Sequence, residues 1–235
     1  MSTVGNSVRG PIAIDGPVAA GKTTIGRLVA ERLAWPALDT GLMYRAVAYL
    51  ASVRGVDLDD ETALAAVVRD TDARVKGARI IVSAGGLDIG DRLADPTVSG
   101  HASKVAIHSG VRSALVAKQR KLASDAEGRI VVIGRDIGTV VLTEAPTKIF
   151  LDAPAAERAR RRQYDESAGD GSSVDSYETV LADLEARDAR DREREDSPLR
   201  AAEDAHVIQS GRMSIEDVVV AVLAAAASDP LQRDS

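Results

Sequence analysis

The sequence predicts an α/β fold, a mostly parallel sheet covered by helices on both faces, and three observations carry that expectation. Short apolar runs alternate along the chain with longer stretches of helical periodicity, the pattern that places crossover helices between parallel strands. A glycine-containing turn joins the first apolar run directly to the first helical stretch, as in folds that bind anions at a strand-to-helix loop. At 235 residues and 45% hydrophobic content, the chain buries a substantial core without a disulfide framework, since it has no cysteine. That length suits one domain with insertions, or one large and one small domain.

The first strand is expected at residues 11–15, Pro-Ile-Ala-Ile-Asp. "GPVAAGKT" follows, and Gly16, Pro17, Val18, Ala19, Ala20, Gly21, Lys22 and Thr23 fit G-x-x-x-x-G-K-[ST]. In this pattern the glycines let backbone N–H groups turn inward around phosphate oxygens, while the lysine and a hydroxyl complete the cage. Ile25, Leu28, Val29 and Leu33 then recur at helical spacing, so a helix N-terminus adds its partial positive charge to the same anion. Lys22 is expected to reach the terminal phosphates, and either Thr23 or Thr24 to ligate a Mg²⁺ bound with them. This is a P-loop, and it predicts a three-layer α/β/α architecture.

Further strands are expected at 36–39, 130–134, 147–151 and 205–209, giving a five-stranded parallel core sheet. Residues 73–90 interrupt the alternation: "ARVKGARIIVSAGGLDIG" reads as short strands joined at Lys76-Gly77 and Gly85-Gly86, a small β insertion. A second interruption, residues 165–176, is polar and rich in Gly and Ser, the composition of a mobile loop. Before it, Arg158 and Arg162 stand at i, i+4 in "ERARRR", on one face of a helix able to fold over a triphosphate as a lid. A basic solvated helix is the plain alternative.

If the donor is a nucleoside triphosphate and the acceptor is itself a phosphate, additional arginines must neutralise the second anion. Three places supply them. "DTGLMYR" puts Arg45 about one turn into the helix after the second strand. "GRDIG", Gly134 to Gly138, ends the third strand at the edge where open α/β sheets bind ligands. "RDARDRER" spaces Arg187, Arg190, Asp191 and Arg194 at i, i+3, i+4 and i+7, on one helical face. Taken singly, Arg45 reads equally well as a solvated helix residue, and the last run as an exposed helix laced with ion pairs. A net charge of −6, with one Trp, one Phe and four Tyr, argues against a nucleic-acid polymer as partner. Met1 to Gly10 lacks the apolar core of a signal peptide, and "VVVAVLAAAA", Val218 to Ala227, is too short to span a bilayer. A cytoplasmic protein with no membrane partner is therefore expected.

In order and spacing from about Ile12 to Ala227, "IAIDGPVAAGKTT", "LDTGLMYRAVA", "ASKVAIHSGVRSAL", "IVVIGRDIGTVVLTEAPTKIFLDA", "ERARRR", "RDARDRERED" with "SPL", and "AEDAHVI" together resemble the bacterial cytidylate kinase family. The resemblance implies transfer of the γ-phosphoryl of ATP to CMP or dCMP with Mg²⁺, in pyrimidine nucleotide metabolism, by a monomer. It implies one kinase domain over residues 11–227, between flexible ends at 1–10 and 228–235, with a monophosphate-binding insertion at about 67–104 and a lid at about 157–176. It implies that Arg45, Arg135 and Arg194 hold the acceptor phosphate, that Ser103, Arg112 and Asp136 read the cytosine, that Tyr44, Arg187 and Asp191 face the ribose, and that Thr40 lines the same acceptor site. A carboxylate and an arginine match the N4 amino donor and the N3 and O2 acceptors of cytosine, whereas uracil leaves the carboxylate unpaired.

The chain departs from the family's usual loop, G-P-S-G-A-G-K-G-T: Val18, Ala19 and Thr23 replace Ser, Gly and Gly. Ser109-Gly110 stand where a proline is usual, which is expected to loosen the turn before Arg112. The three histidines form no ligand spacing. A P-loop kinase of another small metabolite, of the shikimate or gluconate type, needs fewer arginines; a nucleotide-binding module that does not transfer leaves the acceptor arginines without purpose.

Overall fold

The computed structural model describes residues 8–167 and 176–227. Chain order is β1 (Ile12–Asp15), α1 (Lys22–Leu33), β2 (Ala37–Asp39), α2 (Gly41–Arg54), α3 (Glu61–Arg69), β3 (Thr71–Lys76), β4 (Arg79–Ala84), β5 (Leu87–Asp88), α4 (Pro96–Val105), α5 (Ser109–Asp125), β6 (Val131–Ile133), β7 (Thr147–Asp152), α6 (Ala155–Ser167), α7 (Tyr177–Glu193), β8 (His206–Gln209) and α8 (Ile215–Ala227). The core sheet has five strands in the order β2-β6-β1-β7-β8. Ile12 pairs with Thr147, Ala37 with Val131 and Ile149 with His206, all in parallel register. All five expected core strands are present, each within a residue or so of its expected limits.

Parallel strands covered on both faces read as continuous apolar runs, and all four residues of β1 and all three of β6 are buried. β8, at the sheet's edge, alternates half-buried with exposed residues. β1 lies in the middle of the order, so the loop that follows it leaves from the carboxyl end of a central strand, where open α/β sheets place phosphates.

The chain divides into two compact units, one up to Val29 and from Gly134 onward, the other Ala30–Ile133. In the first, α6 packs on α7, and β7 carries β1 and β8 on either side. In the second, β3, β4 and β5 form an antiparallel sheet, with Thr71 opposite Ala84 and a turn between Lys76 and Arg79. This is the expected β insertion, beginning two residues earlier than the turn signals indicated. α2 packs on α4 and α3 on α5. The expected flexible ends and mobile loop fall chiefly on residues 1–7, 228–235 and 168–175, which lie outside the described residues. Among the described residues, no helix is long and apolar enough to cross a membrane.

Candidate active site

The loop between β1 and α1 takes its shape from backbone positions that tolerate little else. Gly16 has φ +145°, and a Cβ there would lie 2.0 Å from the carbonyl oxygen of Leu151. Gly21 has φ +88° and Ala19 φ 58°. Glycine adopts such angles without strain, whereas an L-residue in the left-handed region costs about 1–2 kcal/mol. Ala19 therefore carries strain where a glycine is usual. Lys22 opens α1, its side chain buried and its ammonium donating to the carbonyl of Pro17. Thr23 is half-buried and Thr24 exposed. Ser210 Oγ lies within hydrogen-bond distance of two carbonyl oxygens, Ala20 O (3.3 Å) and Asp152 O (3.2 Å), tying the loop to the end of β7.

Asp15, the last residue of β1, is buried, and its two carboxylate oxygens accept from Ile137 N and Gly138 N, both at 2.8 Å. Burial pushes its carboxyl pKa up to about 6, opposed by these two N–H donors and by Lys22 and reinforced by the charge of Asp136. The bonds pin the turn carrying Arg135 and Asp136 to the strand that launches the loop. Asp136 is buried at the start of a single π turn, Ile137–Val141, where its backbone carbonyl accepts from Val140 N and Val141 N.

Around Asp191 two of the arginines expected at the acceptor site, Arg135 and Arg194, converge. Arg135 Nε donates to Asp191 Oδ2 at 3.1 Å, and Arg194 Nη1 lies 3.6 Å from Oδ1. The Asp191 and Arg194 side chains are 22% and 10% exposed, which sets them apart from the solvated residues of the same run, Arg190, Arg192 and Glu193. The single helical face expected for Arg187 through Arg194 is corrected here: α7 ends at Glu193, and Arg194 turns out of the helix with ψ 132°. Leaving the helix frees Arg194 to donate to Ser197 O at 3.1 Å while it still faces Asp191. Arg187 is half-buried.

Arg158 also differs from expectation. It does not share an outward lid face with Arg162, which is half-buried; Arg158 is 3% exposed and donates to Ala153 O, Val18 O and Asp188 Oδ2. This guanidinium, drawn under the loop, uses each of its three nitrogens in an inward hydrogen bond.

In the second unit, Arg112 is buried in α5, its guanidinium 5.9 Å from the centroid of the Tyr44 ring, within cation–π range. The structure thus brings two expected acceptor-site residues together. Arg45, half-buried on α2, donates to Leu93 O at 3.5 Å. Ser103 is half-buried on α4, the helix packed against α2. Thr40, at the start of α2, is buried with its hydroxyl donating to Ile133 O at 2.9 Å. The turn before Arg112 is not loose as expected: Gly110 N donates to Glu61 Oε1 at 2.6 Å and Ser109 Oγ lies 3.4 Å from it, so a carboxylate caps α5 where a proline is usual. His108 contacts Leu58 O and His101 contacts Ser52.

Sequence reasoning passed over Asp15 and Asp188. Asp15 is a carboxylate ending an apolar strand, the same signal that singled out "GRDIG". Val180, Leu184 and Asp188 fall at i, i+4 and i+8, all buried, so Asp188 continues an apolar stripe and needs a partner there.

The family model described as Cytidylate kinase matches residues 12–228. The chain is similar to the cytidylate kinase of Bacillus subtilis (strain 168), 43% identical over 218 residues that cover 91% of this chain and 95% of that protein. It is likewise similar to the cytidylate kinase of Geobacillus kaustophilus (strain HTA426), 45% identical over 214 residues, 90% of this chain and 94% of that protein. Among solved structures, TT1252 from Thermus thermophilus aligns with a TM-score of 0.47 at 18% identity, covering 92% of this chain and 98% of that chain.

Proposed function

This chain belongs to the cytidylate kinase family, and we infer from that membership and from the chemistry of its side chains that it transfers the γ-phosphoryl group of ATP to CMP or dCMP, giving CDP or dCDP and ADP. The observation that carries the reading is Asp191 between Arg135 and Arg194. Two arginines oriented by a shared carboxylate suit an anionic acceptor such as a phosphate, which a neutral hydroxyl acceptor does not require.

In this reading the loop amides and Lys22 hold the donor phosphates, and Lys22 follows the charge as it develops on the migrating group. Arg135, Arg194 and Arg45 hold the acceptor phosphate. A carboxylate has about four lone-pair directions, so Asp191 accepts from a ribose hydroxyl while it orients its arginines, with Arg187 and Tyr44 beside the sugar and Thr40 in the same site. Ser103, Arg112 and Asp136 read the cytosine. Arg162 supplies a positive charge from the lid side, residues 157–176, and residues 67–104 form the acceptor-binding insertion of a single kinase domain.

The residues fit Mg²⁺: Thr23 is half-buried one residue into α1 while Thr24 is exposed, so Thr23 offers the oxygen donor that a hard cation takes alongside phosphate oxygens. When bound, the ion neutralises charge on the phosphates. The protein acts as a cytoplasmic monomer in pyrimidine nucleotide metabolism, on small nucleotides rather than nucleic-acid polymers or membranes.

A coupled ADP-release assay across CMP, dCMP, UMP, AMP and shikimate tests the reading. Turnover with the two cytidine nucleotides well above the others is expected; preference for shikimate, or ADP release independent of any acceptor, overturns it.

A further inference from the structure

We propose that Asp188 is a positioning residue for the phosphate loop, acting with Arg158 to fix the orientation of the loop's peptide backbone at Val18. The proposal rests on the reading of residues 16–24 as the ATP site. Both backbone groups of Val18 are taken by this pair: Val18 N donates to Asp188 Oδ1 at 3.3 Å, and Val18 O accepts from Arg158 Nη1 at 2.8 Å. The pair closes on itself through Arg158 Nη2 and Asp188 Oδ2 at 2.6 Å, and Arg158 Nε donates to Ala153 O at 2.9 Å. The two side chains are 3% and 2% exposed.

A buried ion pair is a poor device for stability alone, because desolvation offsets its attraction. This one sits where its hydrogen bonds determine which way a catalytic loop's amides point. The Val18 side chain is seated in the same place by apolar packing against Ala159, Val180 and Leu184, with Ala19 and Leu181 alongside. The usual serine would bring a hydroxyl into that cluster; valine brings two methyl groups. Position 18 is thus held by its N–H, its carbonyl and its side chain, all from α6 and α7.

Two consequences distinguish this from ordinary packing. The Val18 N–H points at Asp188 and the Ala20 N–H at Pro17 O (3.4 Å), so the Val18 amide is not one of the donors that meet phosphate. Asp188 also lies three residues before Asp191, on the same side of α7. One turn of that helix therefore bonds the donor loop through Asp188 and orients Arg135 and Arg194 through Asp191. The spacing between the two functional groups is set by a rigid helical rise.

Amide hydrogen exchange on the wild-type protein, with and without ATP, is the first test. The Val18 amide is expected to be protected in the free protein and little changed by ATP, while the Gly21 amide gains protection with it. A Val18 amide that exchanges freely until ATP is added overturns the proposal. Kinetics of Asp188→Asn follow, since the amide keeps an acceptor for Val18 but turns a donor toward Arg158. KM for ATP is expected to rise about tenfold and KM for CMP to stay within about twofold; unchanged values, or parallel losses that track a lower Tm, count against it. Replacing both charges, Arg158→Met with Asp188→Leu, removes the buried ion pair but leaves Val18 N, Val18 O and Ala153 O without these partners, so Tm is expected to fall while the protein still folds, and ATP affinity to drop about tenfold. Wild-type ATP affinity in that double variant reduces the pair to packing. The exchange experiment needs no variant, so it decides even if neither variant folds. Failure of the kinase reading shows separately, as a wild-type protein without CMP-dependent ADP release.

Discussion

Two arginines assigned to one reaction, Arg158 and Arg45, are held in opposite ways. Arg158 in the first unit is 3% exposed and makes bonds of 2.6–2.9 Å to two backbone carbonyls and a buried carboxylate. Arg45 in the second is half-buried, and its bond to Leu93 O is 3.5 Å long. The difference matches the separate roles proposed for the two residues. Around the phosphate loop, buried charges grip the backbone: Arg158 and Asp188 at Val18, Asp15 at Ile137 and Gly138, Lys22 at Pro17. Electrostatic catalysis demands such preorganisation, because the groups that meet developing charge must not reorganise during the reaction. On the proposed reading Arg45 meets the acceptor, a role that requires it to exchange an intramolecular contact for one to the ligand, and its bond to Leu93 O is long.

The sharpest way to break this comparison is at Lys22. Lys22→Ala removes the charge that follows the phosphoryl group, and kcat is expected to fall by roughly three orders of magnitude or more with the fold intact. Single-turnover assays and a melting curve check this, and near-normal turnover would place the donor site elsewhere.

Next in size, the two arginines are expected to divide stability from function. Arg158→Ala removes the 2.6 Å buried partner of Asp188 and leaves only the exposed Arg192 at 4.0 Å; breaking a buried pair typically costs about 3–5 kcal/mol. Arg45→Ala is expected to cost about 1 kcal/mol or less, yet to lower kcat/KM for CMP roughly ten- to a hundredfold. Denaturant melts and CMP kinetics on both variants measure the contrast; equal destabilisation by the two would dissolve it.

Asp15 extends the same logic to pH. Its carboxyl pKa, raised to about 6, means that the folded chain binds this proton more tightly than the unfolded one. The contribution to stability is therefore full below about pH 4 and is lost as pH rises through about 6, a cost of about 3 kcal/mol above that range. The amide resonances of Ile137 and Gly138 are expected to titrate with a midpoint near pH 6. A midpoint near 4 would mean that the carboxylate is not shielded from water.

The smallest effect is expected at Ala19. Ala19→Gly relieves a positive φ but adds freedom to the unfolded chain, so the two nearly cancel and leave a gain of about 1 kcal/mol or less. A thermal melt of the folded variant reads that difference.

The core strands and the phosphate loop were legible in the sequence because both are local signals. An apolar run such as "IVVIG" and a spaced glycine-lysine pattern do not depend on distant residues. What escaped depended on partners far along the chain. Nothing near Arg158 distinguishes a lid arginine from a buried one; its carboxylate is 30 positions away at Asp188. The run 187–194 read as one helical face because helical spacing continues to Arg194, whereas the chain leaves the helix at that residue, with Asp191 O accepting from Leu199 N at 2.7 Å. The turn before Arg112 read as loose because the carboxylate that caps it, Glu61, lies 49 positions from Gly110.

Asp191→Ala tests the central claim, that a carboxylate-oriented pair of arginines receives the acceptor phosphate, most directly. CMP kinetics and ATP affinity are measured on the same variant, with a thermal melt to establish that it folds. Loss of a charged hydrogen-bonding partner is expected to lower kcat/KM for CMP by roughly ten- to a hundredfold while ATP affinity stays within about twofold of wild type. Unchanged CMP kinetics, or equal losses for both nucleotides, would contradict it.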